Sequence, residues 1–329
     1  LEPAFNEEDF ARVKGQVIEG IKSAKKQPGS VATMVFNQKL FGTDNPVAWR
    51  SAGRIDTVEN ITLDDVRSFY KTMYTAGAGS IVAVSNLDQS EMMGSLEAIS
   101  AWDGEAPARQ AMASFPAIEA DKLYLVDKED AAQSEIRIGK RALPYDATGT
   151  FYRAGLMNFA LGGAFNSRIN LNLREDKGYT YGARSFFSGN EDYGYYRAQA
   201  GVRTDTTTAS IVEFFKEIES YQADGINEEE LTFTKEAIGQ SEARDYETPS
   251  QKLGFLSQIL TYDLDEDFVE EQQDILRNMT KADVDGLASE LLDGDMALVV
   301  VGDRAIIEEE LKTLGREIVI LDENGNEIE

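Results

Sequence analysis

The stretch LGGAFNSRINLNLREDKGYTYGARSFFSG, residues 161–189, reads as loop, helix and strand in that order. Gly162-Gly163 interrupts a preceding helical pattern, because glycine reaches backbone angles that other residues avoid. Asn166 or Ser167 stands where a side-chain oxygen can cap the next helix. Phe165, Ile169 and Leu173 recur every four residues and predict one buried stripe. Gly178 falls where a left-handed helix terminator is expected. Tyr179-Thr180-Tyr181 beyond it is rich in strand-forming types.

Arg174 lies one turn before the predicted helix end, off the apolar stripe. Tyr181 lies three residues into the predicted strand, and the reversal at Gly178 lets the two side chains face one space. A guanidinium and a phenol there offer fixed donors, suited to a carbonyl oxygen or a developing oxyanion. The same spacing also accommodates a helix-end arginine in an ion pair and a tyrosine packed on a sheet.

Gly162, Gly163, Ser167, Arg168, Leu173, Arg174, Glu175, Gly178 and Tyr181 together resemble a signature of the insulinase/pitrilysin family of zinc metallopeptidases, family M16. Weaker similarity extends over most of the chain. The resemblance implies an α+β fold, an antiparallel or mixed sheet with helices on one face, and Arg174 and Tyr181 as substrate-binding residues. Gly162, Gly163 and Ser167 would form the supporting loop.

The chain has 329 residues, 42% hydrophobic and 28% charged, which suits a globular protein with more than one domain. No apolar run reaches the length of a membrane span. The formal charge of −27 makes nucleic acid and anionic membrane unfavourable partners. Without cysteine there are no disulfides and no thiolate chemistry. Without histidine, Ser-His-Asp and Cys-His nucleophiles are excluded, and so is the HxxEH zinc site of the family. The acidic runs Glu228–Glu230 and Glu308–Glu310 read as solvated helix faces. The chain is therefore expected to be inactive alone and to bind no cofactor.

Capping and periodicity place helices over Asn6–Gln27, from Ser30 to Phe41, from Thr62 to about Tyr74, and over Ser90–Ser100. A buried strand is expected at Ser80–Ser85. Residues 106–121 read as a linker between a helical part, 1–105, and a complete domain, 122–329. Asn6-Glu7-Glu8-Asp9 returns as Asn227-Glu228-Glu229-Glu230, Lys14 as Lys235 and Pro28 as Pro249. Ile61-Thr62 with Asp65-Val66 returns as Met279-Thr280 with Asp283-Val284, and Ile81–Val84 as Leu298–Val301. The offset stays near 220 residues throughout. This is an internal repeat whose first copy starts at its helical half. A helical layer with one strand cannot cover its own apolar face. The expectation is a C-terminal piece of a longer protein, or a sheet supplied by another chain.

The resemblance then implies the substrate-binding, non-catalytic half of a zinc peptidase that hydrolyses unstructured peptides. Arg174 and Tyr181 would orient the scissile carbonyl at a zinc held outside this chain. The partner would be an HxxEH-containing half, in the same polypeptide or a separate one. The alternative is a non-enzymatic partner or scaffold subunit of such a complex. In catalytic members a glutamate on the helix equivalent to Asn6–Gln27 is the third zinc ligand. Its place falls near Gly20, with Glu19 adjacent, so either this copy binds no metal or Glu19 is the ligand. A periplasmic or otherwise exported location is implied by the bacterial relatives alone.

Overall fold

The computed structural model describes residues 2–242 and 246–328. They form two compact units that are not contiguous in sequence. One comprises residues 1–23, 51–113 and 242–265, and the other 24–50, 114–241 and 266–329.

The second unit is built on one mixed sheet. Its strands are β1 (Lys122–Asp127), β2 (Gln133–Ala142), β3 (Thr180–Gly189), β4 (Gly194–Arg203), β5 (Ala297–Gly302) and β6 (Glu317–Leu321), in the order β3-β4-β2-β5-β1-β6. β1 runs parallel to β5 and β6, while β2–β5, β2–β4 and β3–β4 are antiparallel. β5 is buried along its whole length, and its Val-rich sequence is what a strand covered on both faces requires. Alternation then sorts the side chains. Leu123, Leu125, Ile136, Ile138, Leu298 and Val300 enter a core on one face. That core includes Leu156 and Met157 of α6 (Thr150–Asn158), Phe214 of α8 (Thr207–Asp224) and Val284 of α12 (Lys281–Leu291).

Tyr124, Val126, Val299 and Val301 point to the opposite face, where α2 (Pro28–Phe41) covers them with Val31, Val35, Phe36 and Leu40. α2 is apolar on nearly every side, so burial is its only stable environment. Each such side chain contributes about 1.5–3 kcal/mol. This helix explains why the compact units cut across the division expected at 1–105, 106–121 and 122–329. α2 starts at Pro28, whose missing N–H suits the first helical turn, and not at Ser30. Gly42 ends it at φ +76°.

The first unit carries most of α1 (Glu7–Lys25), with α3 (Ile55–Asn60), α4 (Leu63–Met73), α5 (Gln89–Leu96) and α10 (Pro249–Tyr262). The strand expected at 80–85 does not form there, and Ile81 is half exposed. A strand needs neighbours for its backbone groups, and composition alone does not supply them. The repeat is visible atom by atom. Asn6 accepts from Asp9 N–H at 2.8 Å, and Asn227 accepts from Glu230 N–H at 2.9 Å. The two Asn residues cap α1 and α9 (Glu228–Glu242). Lys14 Nζ donates to the Glu59 carbonyl at 2.8 Å, and Lys235 Nζ donates to the Arg277 carbonyl at 2.9 Å. Thr62 with Asp65 and Thr280 with Asp283 form matching capping boxes on α4 and α12. Thr280→Ala removes the acceptor for Asp283 N–H. It should cost about 1 kcal/mol, read as a lowered urea midpoint with unchanged slope. Among the described residues no helix is long and apolar enough to cross a membrane.

Candidate functional site

The signature stretch lies wholly in the second unit. α6 ends in a π-helical turn, Phe159–Gly163, and a short helix, α7 (Arg168–Asn170), runs directly into a second π-helical turn, Leu171–Asp176. The wider turn shows in Lys177 N–H, which donates to the carbonyl of Asn172 at 3.0 Å. Gly178 reverses the chain at φ +65°, and Tyr179 N–H closes back on the Leu173 carbonyl at 2.9 Å. π turns are rare and concentrate at functional sites.

Gly162 is required for a reason other than its backbone angles. Its φ is ordinary, but a Cβ there would lie 2.1 Å from Ser185 Oγ and 2.5 Å from Ser185 N. The helix end sits directly on β3. Asn158 fastens the same contact, donating to the Ser185 carbonyl at 2.8 Å and accepting from its hydroxyl at 2.5 Å. At Gly163 an added Cβ would come no closer than 3.3 Å to the Asn158 carbonyl. Ser167 precedes α7 as expected, fully buried, yet its hydroxyl makes no capping bond.

The predicted stripe holds at two of its three positions. Ile169 and Leu173 are fully buried, whereas Phe165 is 64% exposed. It precedes the helix and carries the Arg174 guanidinium over its ring at 4.5 Å. Arg174 also pairs with Glu175 at 3.4 Å. Asn170, likewise missed by the stripe reading, ties the two sides of the site together. Its amide donates to the Phe165 carbonyl at 2.7 Å, and its oxygen accepts from Ala183 N–H at 3.0 Å. The register of β3 against β4 shifts between Thr180 and Ala183, and Tyr181 stands in that bulge, 90% exposed. No hydrogen bond joins Arg174 and Tyr181 among the described residues. The signal that could have located the missed residues is an asparagine on an apolar helical stretch: Asn158, Asn170 and Asn172 are all buried.

Arg168 anchors the stretch from below. It makes two 2.6 Å bonds to Glu230, donates to the Gly225 carbonyl at 2.9 Å and lies over the Tyr221 ring. Burial pushes the Glu230 carboxyl up, but the Arg168 bonds and charge with the Asn227 N–H outweigh it and hold it below its ordinary value.

Zinc does not fit the donors present. The chain has no histidine, and the described residues contain no cluster of three potential ligands. Glu19 lies exposed on α1 in the first unit, paired with Lys22 at 2.8 Å.

The geometry is that of a half-buried guanidinium on a π turn and an exposed phenol at the start of a sheet's outermost strand. Comparison with known proteins gives the same family. An uncharacterized zinc protease of Streptomyces coelicolor is 26% identical over 72% of this chain and 51% of its own length. The uncharacterized zinc protease YmxG of Bacillus subtilis is 23% identical over 90% of this chain and 71% of its own. The chain thus spans between about half and seven-tenths of these relatives. The crystal structure of a peptidase M16 inactive domain from Pseudomonas fluorescens superposes with a TM-score of 0.82, at 23% identity, over 92% of this chain and 71% of that one. The sequence model of the peptidase M16 inactive domain matches residues 60–238, more than half of the chain, and includes the whole stretch from Gly162 to Tyr181, so the chain belongs to the M16 family as a carrier of its inactive domain.

Proposed function

We propose that the chain is the substrate-holding, non-catalytic half of an M16 peptidase acting on unstructured peptides. The observations that carry this reading are the exposed Tyr181 in the bulge of β3 and Arg174 held over Phe165 on the π turn that precedes that strand. β3 is the edge of the sheet; Asn170 and Asn158 take its Ala183 N–H and Ser185 carbonyl, so an extended peptide would pair with backbone groups elsewhere along that edge. Such a peptide gains affinity from main-chain bonds without a fixed sequence. Arg174 and Tyr181 would then donate to one of its carbonyl oxygens, and Phe165 would keep the guanidinium from collapsing onto the surface. The hydrolytic metal and its ligands would belong to an HxxEH-bearing half outside residues 1–329. When bound there, zinc would supply the Lewis acidity.

The test is peptide cleavage by this chain combined with that half. Tyr181→Phe should lower kcat about tenfold, the scale of one lost hydrogen bond to a developing charge, with the complex intact. Unchanged kcat for both Tyr181→Phe and Arg174→Ala would exclude the role and favour a scaffold subunit.

A further inference from the structure

The three strands at one edge of the sheet carry a cluster of arginines on the face that α2 covers. Arg184 of β3 and Arg137 of β2 stand directly opposite Gln199 of β4, one on each side. Arg197, two residues from Gln199 on the same strand, stands opposite Phe186 and Gly139. The alternation of strand side chains puts all of these on one face.

The cluster is short of acceptors. Arg137 is saturated: its guanidinium reaches Glu135 at 2.9 Å, the carbonyls of Ile136 and Gly29 at 2.9 and 3.2 Å, and Thr33 at 3.4 Å. Arg197 is 9% exposed, and its Nε and Nη1 are buried without a hydrogen-bond partner. It lies among rings instead, 4.9 Å from the Phe186 centroid and 5.5 Å from that of Tyr195. Burial works most strongly against its charge, Tyr195 offsets part of that, and the Arg137 and Arg184 guanidiniums oppose it again, so it titrates below its ordinary value. Arg184 is exposed, lies over Phe186 at 5.7 Å and forms no ion pair among the described residues.

A buried charge is ordinarily paired, and an unpaired one costs stability. The chain has 59 acidic residues against 32 basic ones, so carboxylates are plentiful, yet among the described residues Glu135 alone pairs in this cluster. Two neighbouring guanidiniums without a counter-charge are what a bound oxyanion completes.

We propose that Arg184 and Arg197 form a carboxylate-binding site at this edge of the sheet, and that an extended peptide supplies the carboxylate. Arg184 meets it at the surface, and Arg197 takes it inward as the half-buried Phe186 ring turns aside. β3 is the outermost strand, so a chain running along it places every second side chain, or its terminus, over this face. The site is argued without Arg174 or Tyr181, whereas the peptide as carrier rests on the proposed function above.

The probe is a dye-labelled unstructured peptide without acidic side chains and with a free C-terminal carboxylate. It is compared, at constant ionic strength, with its C-terminal amide and with that amide bearing one internal Glu. In anisotropy titrations against the full chain, the free acid, the Glu peptide or both should bind about tenfold more tightly than the plain amide, the scale of one charge-assisted hydrogen bond. Which of them does so identifies the source of the carboxylate. Arg197→Met and Arg184→Gln should each erase the difference. Arg197→Met removes an unpaired charge and keeps an apolar stem between the rings, so its urea midpoint should equal or exceed that of wild type. Should it unfold early, Arg184→Gln, at an exposed position, decides. Equal affinity of the three peptides, or a difference that survives both substitutions, overturns the site and leaves the peptide reading intact. If none of the peptides binds, the peptide reading falls, and the urea midpoint decides the site. Citrate in place of chloride at matched ionic strength should then stabilise wild type more than Arg184→Gln, and an equal shift in both overturns the site.

Discussion

Gly162→Ala should destabilise the second unit by about 3 kcal/mol, the upper range for overpacking a well-filled site. Two effects compete there. Alanine is the better helix former and by itself would add up to about 1 kcal/mol. Against that stands a methyl carbon placed 2.1 Å from Ser185 Oγ and 2.5 Å from Ser185 N. The hydroxyl can rotate aside only by giving up its bond to Asn158, and the backbone nitrogen belongs to a strand paired with β4. The clash therefore wins. Gly155→Ala, about two turns earlier in α6 and with nothing within 4 Å of an added Cβ, is the control. It should stabilise by up to about 1 kcal/mol. Urea unfolding of both variants checks the pair, and equal midpoints would refute the close approach of the helix end to β3.

The second large effect is expected at Arg168. Arg168→Leu leaves Glu230 with its burial and without its cation, a loss of roughly 3 kcal/mol by the scale of broken buried pairs. Both side chains are about one-fifth exposed, which keeps the figure at the lower end of that range. The pH dependence has a definite sign. Glu230 titrates below its ordinary value in the folded state, so its contribution is complete above the unfolded pKa. It fades as pH falls through the lower, folded value. The stability gap between wild type and Arg168→Leu should be widest near neutrality and close below about pH 4. A gap constant with pH would show that the loss came from the contacts with Tyr221 and Gly225 alone.

Much of the architecture was legible because its signals are local. Thr62 with Asp65 and Thr280 with Asp283 close their boxes within three residues, so sequence spacing reports them directly. Gly178 and Gly225 mark their helix ends for the same reason, each at positive φ. What was not legible depends on distant partners. Residues 80–85 have strand composition but form no strand, and they are half to fully exposed. α2 reads as a helix, yet nothing within it says that it covers Tyr124 and Val299, which lie far along the chain. Phe165 was misread because a four-residue stripe assumes one continuous α-helix. The helix begins after it and then widens into a π turn, so only Ile169 and Leu173 keep the inward direction. The motif pointed to Arg174 and Tyr181. Its support by Phe165 and Asn170 could not be inferred from spacing.

The π turn at Leu171–Asp176 also sets the tolerance of this segment to changes in length. A π turn is an α-helical turn with one residue too many. Deleting a residue there would be cheap for the helix itself, since it restores the tighter and more stable winding. It would also rotate everything downstream by about 100°. Arg174 would leave the Phe165 ring, and the Gly178 reversal would no longer deliver Tyr181 to the edge of the sheet. The extra residue is thus a gauge of the proposed role: if Arg174 and Tyr181 hold peptide, descendants of this sequence that keep that role should keep the count between Ser167 and Gly178, while those without it are free to shorten it.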